Sequence, residues 1–247
     1  MFQRSSLIIL CSLVALVYGR SLPSFIKPCK RNDPQLEKCL IELIEGIRSN
    51  LAKGIPEMRI PPLDPLHVPQ VTLDQGSGSV NFQAKFKNII ASGAKNFNLT
   101  GVRLDFNVPS LSIDVGFPAL RLDSDYNITG KVLVVPIKGN GKCQGNFTNV
   151  FASVKLLGKY DKRDGKTFLS VKERKINLKI GNLQIHFSNL FNGNKQLSES
   201  TNVFINENWR DILQEINPLV EDTIGEVMMQ IIKGLLDLYS LEDLIPY

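Results

Sequence analysis

The sequence predicts an α+β fold in which a long C-terminal α-helix is wrapped by a highly curved antiparallel β-sheet, with another helix near the N-terminus. Three observations predict it. Apolar residues recur at helical spacing over 36–51, they do so again over 209–238, and between Val71 and about Phe191 the period changes to two. The order helix, strands, helix keeps the element types apart along the chain, as α+β folds do. The last helix is apolar around so much of its circumference that one flat contact cannot cover it, whereas a curved sheet with one apolar face can.

Residues 1–19 read as a signal peptide. Arg4 precedes an apolar run from Leu7 to Val17, and small residues lead out at Gly19. The run holds about a dozen residues, short of the roughly 20 that cross a bilayer. The expected mature chain is 20–247, a single secreted, extracellular domain with no stable membrane insertion. Losing Arg4 lowers the formal net charge from +5 by one. Nucleic-acid binding is not expected, because the densest basic run, Lys172-Glu-Arg-Lys175, has no interleaved aromatics.

Cys29, Cys39 and Cys143 remain after cleavage, and an odd count in a secreted chain implies a disulfide plus a leftover thiol or an intermolecular bond. Cys29 and Cys39 flank a turn-forming stretch and are expected to pair; Cys143 is left as either a free thiol or a link between chains. No metal is expected, since His67 and His186 are isolated and no zinc-site spacing occurs. Asn98-Leu-Thr, Asn127-Ile-Thr and Asn146-Phe-Thr fit the N-glycosylation acceptor pattern.

The first helix is predicted to start with Asp33 as cap and Pro34 in its first turn, to show Leu36, Leu40, Leu43, Ile44, Ile47 and Leu51 on one face, and to stop at Gly54. Five prolines between Ile55 and Pro69 predict an extended connector packed on the same domain. Strands alternate next: Val102, Leu104 and Phe106; Ile176, Leu178 and Ile180; Leu183, Ile185 and Phe187. Turns are predicted at Gly76-Ser-Gly, Asp123-Ser-Asp, Gly139-Asn-Gly, Asp161-Lys-Arg-Asp-Gly and Gly181-Asn. A change of parity between Leu99 and Val102 predicts a bulge near Gly101. A glycosylated asparagine faces solvent, so its strand neighbours Phe97, Leu99, Tyr126, Ile128 and Phe147 face inward. The Tyr126 phenol then needs a partner, either a ligand oxygen or a backbone carbonyl.

The terminal helix is predicted to be capped by Asn206 and to run for about 31 residues, on the order of 45 Å, with Pro218 kinking or breaking it.

Several stretches together resemble the takeout and haemolymph juvenile-hormone-binding family: Cys29 with Cys39-Leu, Gly54-Ile-Pro-Glu, Ile60-Pro-Pro-Leu-Asp-Pro-Leu, Tyr126-Asn-Ile-Thr-Gly130, Pro136-Ile-Lys-Gly-Asn-Gly and Phe204-Ile-Asn-Glu-Asn-Trp209. The resemblance implies a super-roll of sheet around helix with an internal tunnel for a small apolar ligand, a terpenoid or a fatty-acyl chain, carried in haemolymph or another extracellular fluid. It also implies expression tied in some members to circadian timing, feeding or chemosensation. Hormone-binding members tend to carry a second disulfide, so a solitary Cys143 fits the takeout type better. The expected tunnel lining is Phe97, Leu99, Phe106, Phe117, Tyr126 and Ile128 from strands, with Trp209, Ile212, Ile216, Val220, Ile224 and Met228 from the helix. No cofactor is implied.

Three other classes compete with the carrier. An enzyme is not expected, because neither Gly-x-Ser-x-Gly nor His-Glu-x-x-His occurs. A membrane-engaging lipid-transfer module, or a protein-binding factor with a filled core, remains as an alternative.

Overall fold

The structure, a computed structural model, describes residues 21–76 and 78–247, so the expected signal peptide lies outside the described residues. Helix α1, Leu36–Gly46, begins two residues later than predicted. Asp33 accepts instead from the Gln35 amide at 2.7 Å, forming a turn ahead of the helix. The apolar face continues past a break at Ile47 into α2, Arg48–Lys53, which ends at Gly54 as expected. Cys29 and Cys39 are joined by a disulfide, tying the incoming chain to α1.

The expected connector is only partly irregular. After a short 3-10 turn at Pro56–Met58, strand β1 already starts at Leu66 and runs to Gln75, with Pro69 inside it. Proline is tolerated there because β1 is an edge strand and Pro69 has no ladder donor to lose.

Strands β2 (Val80–Ser92), β3 (Asn98–Asp105), β4 (Ser110–Val132), β5 (Val135–Arg163) and β6 (Lys166–Phe187) complete one antiparallel sheet. Its order is β1-β2-β4-β5-β6, with β2 and β3 lying end to end along β4. With 29 residues, β5 would reach about 95 Å if straight, at ~3.3 Å per residue. Strands of that length must curl, and the register breaks supply the bends. They fall between Lys87 and Ile90, between Leu99 and Gly101 where a bulge was predicted, and between Leu157 and Gly158.

Of the predicted turns, the first falls between β1, which ends at Gln75, and β2, which starts at Val80, and Asp164-Gly165 joins β5 to β6 with both residues at positive φ, as a two-residue hairpin favours. The other three signals lie inside strands. Asp123 and Asp125 face outward, where Asp123 pairs with Arg121 and Gln144, and Asp125 with Lys142 and Asn88. Gly139 and Gly141 sit where the segment after β6 crosses closely: a Cβ on Gly141 would lie 2.6 Å from the Ser188 carbonyl oxygen. Gly181 belongs to a corner, beside Asn149 with φ of 52°, at which the inward set of β6 changes from Ile176, Leu178 and Ile180 to Leu183, Ile185 and Phe187. The sheet folds there without ending the strand. The β4–β5 turn is Leu133-Val134, two apolar residues that carry no turn signature.

Helix α3, Lys195–Glu207, was missed by the sequence reading and is capped by Asn194, whose side chain accepts from the Leu197 amide at 3.1 Å. Helix α4, Trp209–Leu236, follows after a break at Asn208, not at Pro218, which sits within unbroken helix on an exposed position. Asn206 is therefore not the cap. It accepts from the Ile185 amide and donates to the Ile185 carbonyl, while Asn202 does the same to Phe187 one turn earlier. These amides pair with the free edge of β6 as a further strand would. Helix α4 touches β6 on one side and β1 and β2 on the other, closing the open side of the curved sheet. A four-residue helix, α5, Leu241–Leu244, then returns to β6 through Lys166–Asp243 and the Thr167 amide on Glu242.

Candidate functional site

The concave face holds its packed residues in separate clusters strung along α4. At the first end Val80, Phe82, Tyr126, Ile128, Ile137, Cys143, Phe187, Leu190 and Ile205 are buried with Ile212, and Ile216 packs against them. Further along, Val154, Leu156 and Ile176 are buried against Ile224, Met228 and Ile232. Leu40, Leu99 and Val102 form a third cluster under α1, and Met58 and Tyr239 a fourth near the end of α4.

Between the first two clusters lie rows of directly opposed residues: Phe117–Val150–Ile180, Leu120–Phe147–Leu183 and Leu122–Gly145–Ile185. Directly opposed residues share a face, and Val150 and Gly145 are buried, so the rows face inward. Phe117, Leu120, Leu122, Phe147, Ile180 and Leu183 are nonetheless only partly buried and join none of the clusters. Helix α4 behaves alike. Of its residues only Trp209, Ile212 and Gly225 are buried, and Val220, one turn from Ile216 and one from Ile224, belongs to neither of their clusters. The sheet rows and α4 thus leave between the two clusters an apolar stretch that is only partly buried.

The residues expected to line an interior are spread over this arrangement. Phe117 and Val220 lie in the partly buried stretch. Tyr126, Ile128, Trp209, Ile212 and Ile216 sit at the first end, and Ile224 and Met228 in the second cluster. Phe97 and Leu99 pack under α1, where the Arg48 guanidinium stands 3.9 Å from the Phe97 ring centre. Phe106 is apart from the rest, stacked under Arg31 together with Tyr247. Leu120 and Leu122 were missed, although once Tyr126 is set inward by its neighbour Asn127, counting back in twos along β4 reaches both; Phe147, Ile180 and Leu183 were read from the sequence as apolar strand positions but not as lining.

The polar groups of the first end are satisfied by the protein. The Tyr126 hydroxyl donates to the Ser188 carbonyl at 2.6 Å, and its ring meets Phe187 edge to face at 4.9 Å. Of the two partners left open for this phenol, the backbone carbonyl is the one found. Burial pushes the Tyr126 phenol and the Cys143 thiol each up to about 12. Cys143 is a free, buried cysteine.

Two recesses adjoin α3 and α4. A groove of about 480 Å³ lies among Gln144, Asn146, Gln184, Ile185, His186, Asn202, Val203, Asn206 and Glu207, where β5 and β6 meet α3. A cleft of about 320 Å³ opens between β6 and α4, lined by Leu178, Ile180, Trp209, Leu213 and Asn217 with Arg210 and Gln214. Ile180 belongs both to this cleft and to the partly buried rows.

A family model for haemolymph juvenile hormone binding proteins matches residues 6–246. The circadian clock-controlled protein daywake of Drosophila melanogaster is 29% identical over 228 residues, spanning 88% of this chain and 85% of the relative. Daywake of Drosophila yakuba is 28% identical over the same shares. The crystal structure of takeout 1 from Epiphyas postvittana superposes with a TM-score of 0.77 at 20% identity, over 90% of this chain and all of that one, and this likeness shows the fold.

Proposed function

The chain belongs to the haemolymph juvenile hormone binding protein family, and on that premise we propose that it is a secreted carrier of one elongated apolar ligand, held between the concave sheet and α4. The observation that carries the reading is the incomplete burial of the apolar residues Phe117, Phe147, Leu183 and Val220 between the two packed clusters. Burying a dozen methylene or methyl groups there gives on the order of 10 kcal/mol gross, at roughly 0.8 kcal/mol each. Immobilising the ligand costs at least about 4 kcal/mol, so at most about 6 kcal/mol is left, a Kd of tens of micromolar or weaker before any polar contact is added. A terpenoid or a fatty-acyl chain has the required length and apolarity.

Secretion is supported by the leader-like segment at 1–19, by the Cys29–Cys39 disulfide and by the haemolymph setting in the family's description. Among the described residues no helix is long and apolar enough to cross a membrane. The Drosophila relatives are described as clock-controlled, which supports clock-linked expression here and is checked by sampling the transcript through a light–dark cycle.

The deciding experiment is mass spectrometry of organic extracts from the protein secreted by eukaryotic cells, beside a matched blank, followed by displacement of a fluorescent fatty-acid probe. One apolar species per chain is expected. An empty extract together with no probe binding would leave a protein-binding factor with a filled core.

A further inference from the structure

We propose that the groove where β5 and β6 meet α3 is a carbohydrate seat, occupied by the chain's own N-linked glycan on Asn146. The inference goes beyond the carried ligand and rests only on the secretion proposed above.

Asn146 is itself one wall of this groove, so a sugar joined to its side-chain nitrogen starts inside it. The strand register sets the course from there. Asn146 is directly opposed to Gln184, and Gln144 to His186. All four are exposed and alternate with buried Cys143, Gly145 and Phe187, which places them together on the convex face of the sheet. Beyond β6 the far wall is α3, through Asn202, Val203, Asn206 and Glu207. Asn98 on β3 and Asn127 on β4 are exposed as well, but neither borders this groove.

The lining selects the occupant. Asn202 and Asn206 use their amides on the β6 backbone, and Gln144 donates to Asp123 at 3.0 Å. The side chains of Gln184, His186 and Glu207 hydrogen-bond to no described residue. Gln184 and His186 each offer a donor and an acceptor, and the Glu207 carboxylate accepts. No lysine or arginine is among the lining residues, so an anion entering the groove would meet Glu207 without a cation to offset it. Sugar hydroxyls and an N-acetyl group both donate and accept, which matches this mixed set. The apolar face of a sugar ring fits against Val203, which is 55% exposed. Seated there, the glycan runs from β5 across β6 onto α3, and its linkage to Asn146 is shielded.

The test is a time course of peptide N-glycosidase F on the folded full chain secreted by mammalian cells, with release at each site followed by mass spectrometry of its glycopeptide. Asn127 is the internal control, because it too lies mid-strand with a paired strand on either side. Asn146 is expected to lose its glycan roughly tenfold more slowly than Asn127, since a glycan seated about nine-tenths of the time exposes its linkage only for the remainder. Unfolding the chain first should make the two rates equal. Gln184→Ala combined with His186→Ala is expected to bring Asn146 to the Asn127 rate in the folded chain. Thermal melting confirms that this variant folds, and the wild-type comparison stands without it. An Asn146 that carries no glycan, equal release at Asn146 and Asn127 in the folded wild type, or a lag unchanged in the double variant would overturn the proposal. A chain that stays inside the cells would overturn the secretion reading and the seat with it.

Discussion

Cys143 is left over when Cys29 and Cys39 pair, and its position decides what it can do. It is buried in the first-end cluster, and burial has moved its thiol from 9.0 up to about 12. Almost no thiolate exists at neutral pH, and the thiolate is the species that reacts. The native protein is therefore expected to run as a monomer on non-reducing gels, and its thiol to react with Ellman's reagent at least a hundredfold more slowly than after unfolding. Rapid labelling of the folded chain would contradict the burial. Tyr126 in the same cluster is also raised to about 12, from 10.0. Both are acids whose folded pKa exceeds the unfolded one, so the fold favours their neutral forms. That stabilisation is complete below pH 9 and is lost as pH rises from about 9 through 12. The urea midpoint should fall between pH 8.5 and 11, and Cys143→Ala with Tyr126→Phe should flatten the fall. At the surface, Asn98, Asn127 and Asn146 are all exposed. Peptide N-glycosidase treatment of the secreted protein is expected to remove three glycans, and each Asn→Gln change to delete one.

Helices α3 and α4 cover the free edge of β6 with side chains instead of another strand. Asn202 and Asn206 each take one backbone amide and one carbonyl, and Glu221 takes the Leu178 amide. Replacing Asn202 by Ala strands two groups of Phe187 at a buried site, which at about 1–3 kcal/mol per group costs roughly 2–6 kcal/mol of stability. The same change at half-buried Asn206 should cost less, and urea unfolding of the two variants ranks them. This role was not legible in the sequence. An asparagine ahead of an apolar periodic run reads as a cap, and only the position of β6 shows that Asn202 and Asn206, one turn apart, face a strand edge. Pro218 does not break the helix: α4 passes through it, and the break between α3 and α4 falls at Asn208. Since Pro218 is exposed, Pro218→Ala should raise stability by about 1–2 kcal/mol, less than the full helix-interior penalty because the unfolded chain gains freedom.

At the scale of the whole molecule, the hydrophobic period announced which faces meet, while turn chemistry was a poor guide to where strands end. Ile176 to Ile180 and Leu183 to Phe187 were legible as inward sets, and their change of parity was read as a turn at Gly181. In a sheet this curved, the same change marks a corner within one strand. Local signals cannot separate the two cases, because glycine serves equally where a chain reverses and where it bends or is closely approached. The partly buried stretch was not legible either: Phe117 and Val220 are apolar whether they fill a core or line a channel. Their response to added volume tells the cases apart. Val220→Phe adds bulk midway between the two clusters on α4. In a filled core the larger ring must force its neighbours off their rotamers, costing about 1–3 kcal/mol. In an unfilled stretch it finds room, so stability should hold or rise while affinity for the fluorescent fatty-acid probe drops at least fivefold. A destabilised variant with unchanged probe binding would mean that the ligand lies elsewhere and that α4 is packed along its whole length.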